Sequence, residues 1–585
     1  MSGAAGPGGD PGARERARQA VWAHARGSLD GLPEGGLNLA HEAVFRHAVG
    51  PRAEHPALRF ARADGEIEAM SYARLAEDVA GFAADLAERG VAPGEAVFTL
   101  LGRAPAWYHA GLGALAHGAV FCPLFASLGP EPVAVRLARG DARVLVTTPA
   151  LYAAKVAPIR DRVPGLRHVI LVEAEAGSAP TVPAARTVAP SSAAAPTRPD
   201  DPALLHFTSG TTGMPKGAVQ VHEAAVAHAH SAREVFELGP DDVFWCTADA
   251  GWVTGTVYGM LMPLIAGVTS LVDEGGFEAG RWCRLLADQG VTVWYTSPTA
   301  LRMLMKVGAE AARARTYPRL RLLASVGEPL DAGAVAWGQA HFGQPVHDTW
   351  WQTETGAIMI ANPAGAAPVP GAMGVPVPGV EAAIARVSER GPERAAPELV
   401  VIDEPGQEGM LVLRTGWPSM FRTYLHEPDR YRACFAGGWY LTGDLARRDS
   451  EGRFWFVGRA DDAIESAGHL IGPFEVESGL RLHPAVADAA AVGVPDPITG
   501  ERVVAFVELA PGATADEGLR RELLGFARKQ LGPAVAPKQI VFHPDLPRTQ
   551  SGKVLRRLLR ERALGPSSGG DLGNGPTAAD GDGGR

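Results

Sequence analysis

Helical and strand-like patterns of apolar residues alternate along most of this chain. Apolar side chains recur at the spacing of one helix face from Tyr72 to Leu86, and Gly90 can end that helix. Continuous apolar runs follow at residues 96–101, 144–146 and 169–172. Such strands, separated by helices, are typical of a parallel sheet with both faces covered. The pattern therefore predicts an α/β fold.

The pattern is interrupted at both ends and restarts once near Asp461. Residues 1–36 are rich in Gly and Pro, and residues 564–585 in Gly, Ser and Asp, so we predict a flexible tail at each end. After a strand-like run at 453–457, we predict helices near 475–482 and 515–531 and strands at 503–509 and 540–542. The prediction is therefore an N-terminal domain over 37–460 and a compact C-terminal domain over 461–563.

Composition narrows the class of protein. The 585 residues are 46% hydrophobic and 21% charged, which is ordinary for a soluble globular protein. A net charge of -10 disfavours nucleic-acid binding. No apolar run reaches about 18 residues, so we expect no membrane span. Four widely spaced cysteines without a CxxC pair suggest a reducing, cytoplasmic location.

One glycine-rich and hydroxyl-rich run has the composition of a phosphate-binding loop. A strand-like stretch, 203–207, leads into Thr208-Ser209-Gly210-Thr211-Thr212-Gly213-Met214-Pro215-Lys216-Gly217. Its glycines let the backbone approach a phosphate closely, its hydroxyls can donate, and successive N–H groups can form an anion site. Lys216 adds a point charge. The run is not a Walker A loop, because GxxxxGK[ST] is absent.

A second candidate motif is a lysine near the end of the chain, in Ser551-Gly552-Lys553. A single cation on a glycine turn is suited to meet developing negative charge. Together with the phosphate loop, it suggests an enzyme that splits ATP and forms an activated acyl intermediate.

These motifs resemble those of the adenylate-forming superfamily, which includes acyl-CoA synthetases, luciferases and peptide-synthetase adenylation domains. Further blocks agree in order and spacing: Asp348-Thr349-Trp350-Trp351-Gln352-Thr353-Glu354-Thr355-Gly356, Trp439-Tyr440-Leu441-Thr442-Gly443-Asp444, and Gly458 to Asp462. The resemblance covers residues 37–562 and is greatest to the acetyl-CoA synthetases, in their shorter bacterial form, through the Trp-Trp-Gln-Thr-Glu-Thr-Gly block and Gly251-Trp252-Val253-Thr254-Gly255.

The resemblance implies both an architecture and a reaction. The architecture is a large N-terminal domain, with parallel sheets covered by helices plus a β subdomain, and a small mobile α+β C-terminal domain that turns about Asp461. In the reaction, acetate and ATP give acetyl-AMP and pyrophosphate, and the thiol of CoA then releases AMP. ATP, Mg²⁺ and CoA are therefore the implied cofactor and co-substrates.

The resemblance also assigns roles to residues of the nucleotide site. Lys553 would bridge the carboxylate and the α-phosphate, Thr353 would bond the α-phosphate, and Glu354 would hold magnesium. Asp444 and Arg459 would contact the ribose. The remaining nucleotide residues are Gly327, Glu328 and Pro329 at the adenine, and Asp348, Thr349, Trp350, Trp351 and Gln352 in the motif.

Other residues are assigned to the acyl group, to CoA and to a structural metal. The acyl pocket would be formed by Val253, Thr254, Val326 and Trp351, with the indole closing the pocket to long acids. One methylene changes binding by only about 1–3 kcal/mol, so propionate remains open beside acetate. Gly468 would leave room for the pantetheine arm of CoA, Arg528 would contact a CoA phosphate, and His483 would lie at a magnesium position.

The chain departs from the family pattern after the hinge. Glu465, Ala467 and Leu470 stand where the family often has Lys, Ser and Arg. Loss of that arginine removes a charge-assisted contact, which is the stronger kind of hydrogen bond. A weakly active paralogue that binds nucleotide or CoA is therefore a third alternative. The context of Lys553 also resembles sites of reversible acetylation, which predicts a lysine acetyltransferase and a deacetylase as partners.

Overall fold

The computed structural model describes residues 10–172, 194–209, 214–388, 398–460, 462, 464–466, 469–496, 500–548 and 553–565. By internal contacts, the chain divides into two compact units. The first is Met1–Asp461 with Gln550–Gly552, and the second is Asp462–Thr549 with Lys553–Arg585. Each unit is considered by itself below.

The α-helices of the described residues fall mainly in the first unit. They are α1 Pro11–Arg26, α2 Arg46–Ala48, α3 Tyr72–Glu88, α4 Pro105–His117, α5 Pro130–Arg139, α6 Pro149–Leu151, α7 Ala224–Glu234, α8 Val253–Thr256, α9 Met262–Ala266, α10 Ala279–Asp288, α11 Pro298–Val307, α12 Ala309–Arg313, α13 Ala332–Phe342, α14 Pro428–Arg432, α15 Pro473–Arg481, α16 Glu517–Val535 and α17 Arg556–Leu564.

The strands are β1 Pro56–Ala61, β2 Ile67–Ser71, β3 Ala96–Leu100, β4 Val120–Leu124, β5 Ala142–Thr147, β6 His168–Leu171, β7 Pro202–Ser209, β8 Pro215–Val221, β9 Val243–Cys246, β10 Thr269–Asp273, β11 Val293–Thr296, β12 Leu322–Val326, β13 Val346–Trp350, β14 Ile360–Ala361, β15 Ala372–Pro376, β16 Ala382–Val387, β17 Leu399–Ile402, β18 Glu408–Arg414, β19 Thr423–Tyr424, β20 Phe435–Ala436, β21 Trp439–Arg448, β22 Phe454–Arg459, β23 Ile464–Ser466, β24 His469–Ile471, β25 Val486–Asp496, β26 Gly500–Leu509 and β27 Gln539–Phe542.

Two largely parallel sheets form the centre of the first unit. One has the order β19-β8-β7-β4-β3-β5-β6, and the other runs β13-β12-β11-β9-β10-β1 through its parallel part. The second sheet continues through β14 and β15 into antiparallel strands β22, β21, β18, β16 and β17. The predicted α/β class with a β subdomain is therefore confirmed.

The first predicted helix shows why these elements form. Ser71 caps α3 by accepting from the Arg74 N–H at 3.2 Å, and the apolar face from Tyr72 to Leu86 is buried. The same face meets α4, whose Gly113 leaves no room for a Cβ beside the Phe82 ring. Burial of apolar surface, at roughly 25 cal/mol per Å², therefore stabilises the pair.

The predicted flexible tail over 1–36 is wrong for its described part, because residues 11–26 form helix α1. Asp10 caps the helix by accepting from the N–H groups of Gly12 and Ala13. Trp22 Nε1 donates to Gly379 O at 3.0 Å and its ring lies 4.8 Å from that of His230. The helix was not predicted because the first residues are rich in Gly and Pro. Its apolar face is weak and includes one tryptophan.

The second unit is a small α+β structure. β25 and β26 form a long antiparallel hairpin, β27 joins β26 in parallel, and β23 with β24 forms a second hairpin. Helices α15 and α16 pack on this sheet through Leu480 and Leu523, both buried. None of the helices in the described ranges has the length and hydropathy needed to cross a membrane.

Candidate active site

The predicted phosphate loop is the connection of a β-hairpin. β7 and β8 run antiparallel, with Thr208 opposite Lys216. Thr208 Oγ1 is buried and has no hydrogen-bond partner within the described part of the chain. The ladder fixes both ends of the loop, which differs from the strand–helix geometry of a Walker loop. Gly210, Thr211, Thr212 and Gly213 lie outside the described residues, as does the side chain of Ser209.

Tyr424 joins the phosphate loop to the acidic motif. Its hydroxyl donates to Glu354 Oε1 at 2.7 Å. Lys216 Nζ lies 3.5 Å from the same hydroxyl and 4.9 Å from the centroid of the ring. Burial and the neighbouring Glu354 carboxylate raise the pKa of Tyr424 well above its usual range, so the hydroxyl keeps its proton. The ammonium, the phenol and the carboxylate therefore form one directed chain.

Adjacent tryptophans at the end of β13 face opposite sides of the strand. Trp350 Nε1 donates to Asp444 Oδ2 at 2.9 Å, whereas Trp351 Nε1 donates to the Tyr295 hydroxyl at 3.2 Å. Such alternation is the ordinary period of extended backbone. The segment Trp350–Trp351 therefore contacts the Asp444 carboxylate on one side and the buried cluster around Tyr295 on the other.

Two predicted nucleotide residues of the same segment turn their side chains into the fold. Asp348 Oδ1 accepts from the Thr349 N–H at 2.9 Å and from the Ser325 hydroxyl at 3.4 Å. Burial raises the pKa of Asp348 to about 7. The Thr349 hydroxyl donates to Ser325 O at 2.7 Å. These side chains therefore position the motif from inside the protein.

The turn that carries Thr353 and Glu354 is braced at its carbonyl groups. Gln220 Nε2 donates to Thr353 O at 2.6 Å, and His228 Nε2 lies 3.1 Å from Gly356 O. The side chains of Trp417 and Ser419 both donate to Thr355 O, at 2.8 and 2.7 Å. Gly356 has φ +69, and a Cβ there would meet Ser419 O at 2.3 Å. The turn is therefore held in a single conformation.

Sequence reasoning missed these bracing residues and Tyr424. Gln220 is a polar residue at a buried position of the otherwise apolar strand β8, and a buried polar residue is the informative exception in such a strand. That signal could have identified Gln220. Tyr424 lies in a strand of two residues and carries no periodic pattern of its own.

Asp444 is the centre of a network of donors. Its Oδ2 accepts from Trp350 and from Gln352 Nε2 at 2.9 Å, and its Oδ1 accepts from Arg459 at 2.9 Å. The Tyr440 hydroxyl donates to Gln352 Oε1 at 2.9 Å, which fixes the amide orientation. The carboxylate is thus paired with a half-exposed guanidinium. A carboxylate whose direction is fixed by several donors can orient a polar ligand such as a sugar hydroxyl.

The predicted acyl-pocket residues come together. Val253, Val326 and Trp351 belong to one buried apolar cluster. Thr254 is buried beside them in helix α8, and its Oγ1 has no hydrogen-bond partner among the described residues. The predicted pocket residues therefore share one buried region, in which the Thr254 hydroxyl is a polar atom without a partner among the described residues.

The predicted adenine turn follows β12. Gly327 has φ +88, and a Cβ at this position would meet the Trp252 ring at 2.4 Å, so glycine is required both by the backbone and by the packing. The Glu328 carboxylate accepts from the Thr299 hydroxyl at 2.7 Å and from Arg302 at 2.5 Å. Glu328 and Pro329 therefore shape the turn, and the Glu328 side chain serves the protein's own ion pair.

In the second unit, an arginine on each side of Lys553 in the sequence forms an ion pair. Arg548 and Val554 form an isolated antiparallel bridge, and the exposed Lys553 lies between them. Arg548 is paired with Asp488, and Arg556 NH2 donates to Glu477 Oε1 at 2.7 Å. The exposed Lys553 therefore lies between two anchored arginines in the sequence. Ser551 and Gly552 lie outside the described residues.

His483 uses both ring nitrogens within the protein. Its Nδ1 accepts from the Ala485 N–H at 3.2 Å, and Nε2 faces Glu522 Oε1 at 3.2 Å. Its ring lies 4.9 Å from that of Phe526 on α16. A magnesium ion at this position would therefore have to use backbone carbonyls. Arg528 is exposed on the same helix.

The hinge residue Asp461 and the predicted CoA residue Gly468 lie outside the described residues, as does Ala467. Glu465 and Leu470 are paired across the β23–β24 hairpin, and their side chains are likewise outside the description. Their predicted roles stay predictions.

Comparison with known proteins gives consistent matches over nearly the whole chain. Residues 45–425 match the family model described as AMP-binding enzyme, and residues 475–553 match the AMP-binding enzyme C-terminal domain. The chain is 40% identical to the acetyl-coenzyme A synthetase of Bacillus subtilis (strain 168), covering 95% of this chain and 96% of the relative. It is 35% identical to the acetyl-coenzyme A synthetase of Methanothrix thermoacetophila, covering 92% and 84%.

Solved structures are similar as well. The acyl-CoA synthetase of Brucella canis has 35% identity and a TM-score of 0.68, covering 93% of this chain and 97% of that one. The anthranilate CoA ligase AuaEII in complex with anthranoyl-AMP has 26% identity and a TM-score of 0.80, covering 91% and 98%.

Proposed function

This chain belongs to the family of AMP-binding enzymes, and on that premise we propose that it is an AMP-forming acetate–CoA ligase. In the first half-reaction, an acetate oxygen attacks the α-phosphorus of ATP, the bond to pyrophosphate breaks, and acetyl-AMP forms. In the second, the thiolate of CoA attacks the acetyl carbonyl carbon and AMP leaves. The acetyl-coenzyme A synthetases matched over most of their length support this assignment.

The observation that carries the proposal is the alternation of Trp350 and Trp351. Trp350 reaches the Asp444 network, which suits a ribose, while Trp351 reaches the apolar cluster around Val326, which suits a short acyl group. Because the two residues are adjacent, the nucleotide and the acid would meet at one segment. Holding reactants together in this way accounts for much of the rate enhancement in such reactions.

The adenylation step brings anionic groups together, and we propose that three side chains stabilise them. Lys216 stands at the end of the phosphate hairpin, and Thr353 lies on the braced turn. Lys553 is proposed to approach from the second unit and to offset charge on the acetate and the α-phosphate. Fixed cations and donors of this kind stabilise developing charge without reorganisation.

The residues present also fit a magnesium ion. Within the described residues, hydrogen bonds engage only Oε1 of the Glu354 carboxylate, which leaves Oε2 as a hard oxygen ligand. No group of three or more His, Cys, Asp or Glu side chains suited to a metal occurs in the described ranges, so phosphate oxygens and water would complete the coordination. When bound, Mg²⁺ would neutralise phosphate charge.

The second half-reaction requires the small domain to present a different surface to the active site. We propose that residues 461–563 turn about Asp461. Lys553 would then take part in adenylation, and Gly468 and Arg528 would take part in CoA binding. Conformational steps of this kind gate many enzymes. Lys553 is exposed, which is compatible with a lysine acetyltransferase and a deacetylase as partners. The four free cysteines support a reducing, cytoplasmic location.

Acetate-dependent exchange of pyrophosphate into ATP, without CoA, tests this proposal. The wild type should catalyse the exchange, Lys553→Ala should lose it, and Lys553→Ala should still form acetyl-CoA from supplied acetyl-AMP. Lys529→Ala, which removes an exposed lysine of the same unit, is the control and should exchange normally. Undiminished exchange by Lys553→Ala would exclude the assigned role.

A further inference from the structure

The Trp351 indole is held by a chain of three hydrogen bonds. Its Nε1–H donates to the Tyr295 hydroxyl at 3.2 Å. That hydroxyl lies 2.7 Å from Thr349 Oγ1, which itself donates to Ser325 O at 2.7 Å. Because the single proton of the threonine hydroxyl is used on the carbonyl, the Tyr295 hydroxyl is the donor in the middle bond. All three bonds therefore run in one direction, from the indole to the backbone.

These three hydrogen bonds connect two walls of the proposed acyl pocket. Ser325 immediately precedes Val326 on β12, and Trp351 directly follows the neighbouring strand β13. Tyr295 lies on β11, on the other side of β12, and is fully buried. Burial raises its pKa well above the usual range, so its proton stays in place. The Tyr295 hydroxyl therefore ties the Trp351 indole to the strand that carries Val326.

Aromatic packing limits how far the Trp351 indole can move if its hydrogen bond to Tyr295 is lost. The Tyr258 ring lies edge-on to Trp351 at 5.1 Å and edge-on to Tyr295 at 5.2 Å. Phe236 lies 5.2 Å from Tyr295. Edge-to-face contacts favour this arrangement but leave rotations of the ring open, whereas a hydrogen bond fixes the direction of the indole N–H.

We propose that Tyr295 is a specificity-determining positioning residue, which holds the Trp351 wall in place and so excludes acids longer than acetate. The inference rests on the proposed acetate–CoA ligase activity. It assigns chain-length selection to a residue that does not itself touch the acid. Without the hydroxyl, the indole gains freedom to retract, and the pocket accommodates an additional methylene.

The test compares kcat/KM for acetate, propionate and butyrate in the wild type, Tyr295→Phe and Tyr258→Phe. For Tyr295→Phe we expect the acetate-to-propionate ratio to fall roughly tenfold, within the range that one methylene spans in such pockets. The KM for ATP should be unchanged, because the Asp444 network is left intact. Tyr258→Phe removes a hydroxyl of the same buried cluster that bonds Ser231 and the Ile358 N–H, not Trp351, and should keep the wild-type ratio.

Each outcome has one meaning. If the wild type formed no AMP with any acid, the proposed function itself would fail. If the wild type preferred acetate and Tyr295→Phe kept the same ratio, the inference alone would be overturned. An equal shift in Tyr258→Phe would assign the effect to loosened packing and would also overturn it. Should Tyr295→Phe not fold, Thr349→Val breaks the same chain one link further on and should lower the ratio likewise.

Discussion

Replacing Tyr424 by Phe removes one hydroxyl from the centre of the Lys216–Tyr424–Glu354 chain and keeps the ring. Glu354 Oε1, in a side chain that is largely buried, then loses a donor at 2.7 Å. A hydrogen bond to a charged group contributes about 1.5–3 kcal/mol, which corresponds to roughly 10- to 150-fold in an equilibrium constant. We therefore expect kcat/KM for ATP in the exchange reaction to fall by about one to two orders of magnitude.

The assay separates positioning of Glu354 from general damage. Formation of acetyl-CoA from supplied acetyl-AMP should stay close to wild type in Tyr424→Phe, because the phosphate-binding side chains have no part in that step. Tyr431→Phe is the matched control. Its ring lies 4.9 Å from that of Phe421, as the Tyr424 ring lies 5.0 Å away, and within the described residues its hydroxyl makes no hydrogen bond to Glu354. Exchange by Tyr424→Phe within twofold of the wild type would refute the reasoning.

Two further predictions follow from the same segment. In the folded protein the pKa of Asp348 is raised to about 7 from an ordinary value of 3.8. Between about pH 4 and pH 7, Asp348 is therefore ionised in the unfolded chain but protonated in the folded protein. The free energy of unfolding falls as the pH rises through this range. Asp348→Asn should therefore gain roughly 2 kcal/mol relative to the wild type between pH 5 and pH 8 in denaturant titrations, and a pH-independent difference would contradict the assignment. Trp351→Gly should shift preference from acetate to longer acids in the AMP-formation assay, and an unchanged chain-length profile would show that the indole is a core residue and not a pocket wall.

The general architecture could be predicted because it depends on burial, which the sequence records as periodicity. The face of α3 from Tyr72 to Leu86 is buried as its spacing predicts, and the continuous apolar runs are parallel strands. Helix α1 could not be predicted in the same way. It is held by the Asp10 cap and by long-range contacts such as those of Trp22 with Gly379 and His230, and neither the cap nor these contacts produce a periodic pattern.

For the site, the motif residues could be identified, but the direction of their side chains could not. Nothing local to the sequence distinguishes Asp348, which turns into the fold, from Asp444, which gathers donors from Trp350 and Arg459. Their side-chain partners, such as Ser325 for Asp348 and Trp350 for Asp444, are distant in the sequence and are brought close by the pairing of β12, β13, β21 and β22. Tyr295 is such a partner, because it appears in the sequence as an ordinary residue of a buried strand.

The ligase assignment is tested most directly by CoA-dependent formation of AMP from ATP and magnesium with acetate, propionate and butyrate. We expect AMP formation that requires CoA for turnover and is fastest with acetate. Absence of AMP with all three acids, in a preparation that binds ATP, would contradict the ligase assignment and favour a nucleotide-binding paralogue.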